Sequence, residues 1–378
     1  MDDLCYFSTS DECERIFEKK LSEQTTVDFM GEATHFLGLK FNWTHHEDGN
    51  ISAHLTQQAF AEQMILQDAN VAKSPYRSGH LVDSVPHNNM TDQDRLKLAA
   101  ELRSIVGSLL WLSQGTRPDL STIVSMLARY QSNPSYGHIR AAKHIIKYVK
   151  GTAAKGITFS SNHPSTELKA FMNFPLPKNT ITPFTDANWG GQDQGHNRSS
   201  ITELERFKTR SVSGYVILFN GPLHWSSKCQ KVTAHSSAEA EIYATDQCVK
   251  ELLRLKHMAI DLKIEHILLP KDPIKVYNNN MACVCWSKAT TTKGLRHITI
   301  RENAIRESVD SKFIAVAHVA GKKNIADIFT KEMKDTALFI VLRDLIVTDP
   351  PEKKGGSQSR APSSHVGERG VLEPTARP

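Results

Sequence analysis

Pro164 marks a change of periodicity, and the order of elements after it limits the folds open to this chain. Beyond it the pattern reads strand, strand, strand, helix, strand, helix, helix, strand, helix. Strands are expected over roughly 182–189, 211–220, 222–228, 273–278 and 313–320. Helices are expected over roughly 236–262, 280–288, 296–309 and 325–346. Three consecutive strands make a β-meander, and strands separated by helices make βα crossovers. The combination predicts an α/β domain with a mixed sheet and flanking helices.

At 378 residues the chain is long enough for more than one domain with its own core. Its 39% hydrophobic and 23% charged residues are ordinary for a globular protein, which argues against wholesale disorder. A net charge of +5 permits a nucleic-acid partner without requiring one. The six cysteines (Cys5, Cys13, Cys229, Cys248, Cys283, Cys285) contain no Cys-x-x-Cys and fit no zinc spacing, so they read as reduced thiols of an intracellular protein. No apolar run approaches the ~20 residues that span a bilayer. A start of Met1 followed by two acids is read as excluding a secretory leader.

The first half is mostly helical. Residues 8–30 read as a short amphipathic helix around Ile16, Phe17 and Leu21. His35–Phe41 and Ile51–Leu55 alternate about Asp48-Gly49-Asn50, which predicts a β-hairpin. Helix follows over 57–66, then a Ser/Pro/His/Asn-rich linker over 70–92. Two helices are expected between 93 and 131, broken at Gly115–Asp119, with Asp119 or Ser121 as the cap of the second. Over 138–150, Ile139, Ala142, Ile146 and Val149 form one face of a helix, while Arg140, Lys143, Lys147 and Lys150 form another with no acid between them. That basic face is either simply solvated or a track for phosphates. Residues 349–378 hold little to bury and are expected to be disordered.

Four positions of the second half stand at matching places. Asp186 lies on the first strand, Glu241 in the first turns of the long helix, Asn278 at the end of the fourth strand, and Asp327 in the first turn of the last helix. This order resembles the RNase H fold, in which Asp, Glu, Asp and Asp from these elements meet at one edge of the sheet. The motifs narrow the resemblance to the RNase H of copia-type LTR retrotransposon Pol proteins. They are TDANWGGQD from Thr185, SVSGYVILFNGPLHWSSKCQ from Ser211, SSAEAEIYA from Ser236, RHITIRENAIRE from Arg296 and ADIFTK from Ala326. Upstream, HFLGLKF from His35 resembles the family's primer-grip hairpin, and TRPDLSTIVSMLARY from Thr116 and AAKHIIKYVKGT from Ala141 resemble its connection region. The start Met1-Asp2-Asp3-Leu4 resembles the Tyr-x-Asp-Asp hairpin of a reverse transcriptase palm, which makes Asp2 and Asp3 a polymerase remnant.

The resemblance implies a truncated reverse transcriptase palm and the start of the thumb over 1–68, thumb and connection helices over 69–163, an RNase H-like domain over 164–348 and a tail over 349–378. It implies hydrolysis of the RNA strand of an RNA–DNA hybrid by two Mg²⁺ (or Mn²⁺) ions about 4 Å apart, held by clustered carboxylates. Asp186, Glu241 and Asp327 are the expected metal ligands, and Asn278 occupies the fourth position. The family has Asp there, so the site loses a charge and its hydrolysis is expected to be impaired. Asp272 is no substitute, because six extended residues put it about 20 Å away. Glu239, two residues from Glu241, faces another way, and Glu241 is preferred because Ile242, Tyr243 and Ala244 follow it as in the family. Asp327 also suits a helix N-terminus without any metal. His297 is by default a structural histidine, with a role in product release as the alternative.

The partners implied are a hybrid or other nucleic acid and the upstream Pol segment, in an intracellular setting, whether a virus-like particle in the cytoplasm or the nucleus. DNA synthesis is not expected. The rival readings are a non-catalytic nucleic-acid-binding remnant and a functionless relic.

Overall fold

The computed structural model describes residues 4–8, 10–64, 70–76, 91–162, 166–172, 174–190, 210–288 and 299–351. Asp2, Asp3, His297, most of the 70–92 linker and nearly all of the tail expected over 349–378 lie outside them. A helix, α1 (Asp11–Gln24), forms within the expected 8–30 with Ser10 as its cap. It buries none of its residues, and Tyr6 folds back onto Phe17 with ring centroids 4.8 Å apart.

A four-stranded antiparallel sheet follows in the order β1 (His35–Phe36), β2 (Leu39–His45), β3 (Ile51–Thr56) and β4 (Ile157–Ser160). The expected single strand over 35–41 is a tight hairpin instead. Leu37 and Gly38 both take positive φ (48° and 75°), the twist that a two-residue turn between antiparallel strands requires. β4 was not foreseen from the alternation pattern. It pairs with β3 across about a hundred residues of chain, and His54 Nδ1 lies 3.0 Å from Thr158 Oγ1.

The helical layer comprises α2 (Gln58–Gln63), α3 (Asp92–Gly115), α4 (Ser121–Ala128), α5 (Tyr136–Gly151) and α6 (Thr166–Met172). The chain breaks between α3 and α4 where expected, but neither Asp119 nor Ser121 caps α4. A 3-10 turn (Pro118–Leu120) runs directly into α4, whose N-cap position is Leu120 without a side-chain hydrogen bond. Asp119 is instead fully buried in a bidentate pair with Arg117 (Nε to Oδ1 3.0 Å, Nη2 to Oδ2 2.8 Å) and accepts from Tyr148 Oη at 2.7 Å. Burying these charges is tolerable because each has its partners.

The second sheet has the order β7-β6-β5-β8-β9, from β5 (Thr182–Asn188), β6 (Val212–Leu218), β7 (Pro222–Cys229), β8 (Ile274–Asn278) and β9 (Ile314–His318). β5, β6 and β7 form the antiparallel meander; β8 runs parallel to β5, and β9 parallel to β8. This is the mixed sheet with flanking helices that the sequence predicts. Side chains alternate across it. Tyr215, Ile217, Ile274 and Val276 pack with α7 (Ser237–Asp261) on one face, along with α8 (Glu265–Leu268), α9 (Met281–Ser287) and α10 (Thr299–Asp310). Phe184, Val216, Leu218 and Tyr277 face the other way, into a core shared with α3, α4 and α5. Trp225 Nε1 donates to the Ser113 carbonyl (2.8 Å), tying the helical layer to this sheet, and Thr122 Oγ1 donates to the Ile328 carbonyl (2.7 Å), tying it to the segment that follows β9.

The expected helix over 325–346 is two elements. A 3-10 segment, Ile325–Phe329, ends at Thr330, and α11 (Thr336–Asp344) begins afresh with Asp335 accepting from the Ala337 and Leu338 N–H groups. Asp327 therefore sits in a 3-10 turn rather than in an α-helix. The cause is tertiary: Asn324 caps the short turn and donates from Nδ2 to the Thr185 carbonyl (2.8 Å), which docks the turn on β5 before a regular helix can propagate. Among the described residues no helix is long and apolar enough to cross a membrane.

Candidate active site

Asp186 lies on β5 opposite Gly214 of β6. A Cβ at Gly214 would meet the Thr330 methyl at 2.6 Å and the Phe329 carbonyl oxygen at 2.8 Å. The bare glycine lets the 325–330 segment lie against the sheet, bringing Thr330 and Asp327 to the end of β5. Thr330 Oγ1 donates to Asp186 Oδ2 at 2.5 Å. Burial, and then the charge of Asp327, pushes Asp186 up to about 6, against the help of Thr330, Lys331 and the Asn279 amide.

Glu241 approaches from the opposite face. Ser236 caps α7, and Glu239 supports the same end of the helix, accepting from the His235 N–H (2.6 Å) and Tyr243 Oη (2.9 Å). Glu239 is thus committed to local structure, while Glu241 Oε2 accepts from Asn278 Nδ2 at 2.9 Å. Glu241 is pushed up to about 8, first by burial and then by the Asp186 charge. The Asn278 amide, the Ala187 N–H and Lys331 oppose that shift.

Asn278, at the end of β8, is completely buried. Its amide nitrogen also donates to Thr185 Oγ1 (3.0 Å), and its Oδ1 accepts from the Asn280 N–H (2.7 Å). The remaining carboxylate, Asp327, is held by Lys331, whose Nζ lies 2.5 Å from Asp327 Oδ1. Burial works against the Lys331 charge. The hydrogen bond to Asp327 and the charges of Asp327, Asp186 and Glu241 outweigh it and leave the lysine pKa raised.

The structure therefore gathers Asp186, Glu241, Asn278 and Asp327 at the carboxyl ends of β5 and β8. It adds Thr185, Asn279, Thr330 and Lys331, which the sequence reading did not assign. A signal for Lys331 was present: it stands four residues after Asp327, the spacing at which an acid and a base meet on a helical turn. The basic residues of α5 lie apart from this cluster in sequence. Arg140 is exposed, Lys143, Lys147 and Lys150 are partly so, and Lys143 pairs with Glu101 of α3 at 2.8 Å.

Two Mg²⁺ ions would need anionic or carbonyl oxygens turned toward a common space. Here Asn278 turns its N–H toward Glu241 and spends its only oxygen on Asn280, and an ammonium group already sits on Asp327. Among the described residues no group of three or more His, Cys, Asp or Glu side chains is arranged to hold a metal ion. The residues present do not fit a two-metal centre.

No protein-family model matches the chain. It is 27% identical over 318 residues, 82% of its length, to the retrovirus-related Pol polyprotein from transposon TNT 1-94 of Nicotiana tabacum. It is 26% identical over 84% of its length to the corresponding polyprotein from transposon RE1 of Arabidopsis thaliana. The chain spans about a fifth of the length of these relatives (21% and 19%). A solved structure of LC11-RNase H1, isolated from compost, aligns with 42% of the chain and 99% of its own, at 18% identity and a TM-score of 0.30.

Proposed function

We propose that this chain, a homologue of plant retrotransposon Pol polyproteins over most of its length, uses its RNase H-like domain to hold RNA–DNA hybrid and has largely lost the ability to hydrolyse the RNA strand. The observation that carries the proposal is Asn278. The position where the resembled family has Asp carries no charge, and its amide is committed on both sides, to Glu241 and Thr185 through nitrogen and to Asn280 through oxygen. A cluster with one anion fewer is a poor host for a pair of Mg²⁺ or Mn²⁺ ions.

Binding does not need that chemistry. A hybrid is recognised by backbone shape and the 2′-hydroxyl. The stripe of Arg140, Lys143, Lys147 and Lys150 on α5 supplies positive charge at a spacing suited to a phosphate backbone. The test is cleavage of a labelled hybrid by the full chain with Mg²⁺ or Mn²⁺, for the wild type and for Asn278→Asp. Cleavage by the Asp variant alone supports the reading. Comparable rates for the two proteins overturn it. Salt-steep binding by both without cleavage by either favours a purely binding role.

A further inference from the structure

The lysine bound to Asp327 is the one cation within reach of the carboxylates among the groups described for this cluster, and its placement is not accidental to the local fold. Lys331 leaves the 3-10 turn immediately after Thr330, which is fixed twice: its hydroxyl donates to Asp186 Oδ2 and contacts the Asp327 carbonyl at 3.1 Å. The Asp327 side chain is 11% exposed and that of Lys331 43%, so the ammonium caps the cluster from its open side.

The remaining donors close it from within. Asn278 Nδ2 serves Glu241, the Asn279 side chain serves Asp186, and the Ala187 N–H serves Glu241. Nor can the Asn278 amide simply turn over to offer its oxygen. A flip would set that oxygen against Glu241 Oε2 and its two N–H groups against the Asn280 N–H, trading good hydrogen bonds for two like-against-like contacts. Asn280 is itself fixed, because its side chain caps α9 by accepting from the Cys283 N–H at 3.1 Å.

We propose that Lys331 is the resident counter-ion of this cluster, standing where a divalent cation would otherwise be needed, so that the domain keeps its fold without metal and resists metal entry. The proposal rests on reading these residues as the RNase H-like site, and it concerns charge balance rather than cleavage. A carboxylate cluster with a built-in ammonium needs no external cation, and a divalent ion entering it has to displace that ammonium.

The experiment is thermal melting of the full chain, in EDTA and with Mn²⁺ alone, together with calorimetric titration by Mn²⁺. The variants are Lys331→Met, Lys331→Arg, and Lys331→Met combined with Glu241→Gln. The wild type and Lys331→Arg are expected to melt alike in both buffers. Lys331→Met is expected to melt lower in EDTA, to recover with Mn²⁺, and to bind Mn²⁺ about tenfold or more tightly than the wild type, as removal of an adjacent unit charge implies. Adding Glu241→Gln is expected to abolish the recovery, which locates the ion in the cluster. Melting of Lys331→Met that ignores Mn²⁺, or a wild type stabilised by Mn²⁺ as much as that variant, overturns the proposal. So does a Lys331→Met protein that fails to fold even with Mn²⁺ while Lys331→Arg folds and binds the ion. No hybrid is present, so hybrid cleavage by the wild type would overturn the functional reading alone.

Discussion

The side-chain amide of Asn278 points its nitrogen at Glu241, 2.9 Å from Oε2, and its oxygen at the backbone of Asn280. An aspartate at this position keeps the second contact and loses the donor of the first, setting one carboxyl oxygen against another. Asn278→Asp is therefore expected to lower stability by about 1–3 kcal/mol in EDTA, the cost of leaving a buried polar pair unsatisfied. Denaturant unfolding of the two proteins checks this, and equal stability would mean that the amide contact contributes little.

The buried carboxylates also set a pH dependence. Glu241 is raised from 4.5 to about 8 and Asp186 from 3.8 to about 6. In both cases the folded state holds its proton longer than the unfolded chain. The associated stability is thus fully present below the unfolded values and is lost as pH rises, through about 6 for Asp186 and about 8 for Glu241. Glu241→Gln cannot ionise, so its stability is expected to fall less between pH 4.5 and 8 than that of the wild type. Unfolding midpoints across that window measure the difference, and parallel curves would rule out Glu241 as the source.

Arg117 and Asp119 form the most deeply buried ion pair described, with side chains 2% and 0% exposed. Asp119→Ala takes the counter-charge from Arg117, which keeps the neutral Thr152 oxygens, and the acceptor from Tyr148, and a loss of about 3–5 kcal/mol is expected. The double variant Arg117→Met with Asp119→Leu is expected to lose less than Asp119→Ala alone, because no uncompensated charge remains. Chemical denaturation of the two variants decides the order.

Hybrid binding, where it occurs, is expected to weaken steeply with salt. Arg140→Gln and Lys147→Gln should each lower the slope of log K against log salt by about 1 if the residue contacts a phosphate. Lys143→Gln is expected to change it less, because Glu101 already engages that ammonium at 2.8 Å. Fluorescence titrations at several salt concentrations give the slopes, and unchanged slopes would remove α5 from the interface.

Much of this architecture is written in local patterns. The meander over 182–229 and the long helix after Ser236 follow from alternation, turn residues and a cap, all of which act over a few residues. What escaped the sequence depends on distant partners. β4 is a strand because β3 lies beside it. The helix expected from 325 is interrupted because Asn324 reaches the Thr185 carbonyl. Asp119 looked like a cap because the type of residue suits one; its actual partner Tyr148 lies 29 residues away. At the site, the resemblance named Asp186, Glu241, Asn278 and Asp327, and the structure brings all four to one sheet edge. Lys331 and Asn279 are present in the sequence as letters, but their contacts appear only once the 3-10 turn and the end of β8 are both folded against β5.

The shared core has a consequence for how this molecule can be divided. The indole of Trp225 reaches the Ser113 carbonyl, the hydroxyl of Thr122 reaches that of Ile328, and Gly156 and Thr348 exchange backbone hydrogen bonds. Leu102, Leu109 and Ile145 pack in the same cluster as Phe184, Val216, Phe329 and Phe339. Severing the chain near Pro164 would strip the helices from one face of the second sheet and wet the underside of the turn that carries Asp327 and leads into Lys331. The geometry at the carboxylates is thus upheld by residues two hundred positions earlier, and damage to the helical half is expected to register at the site without touching it.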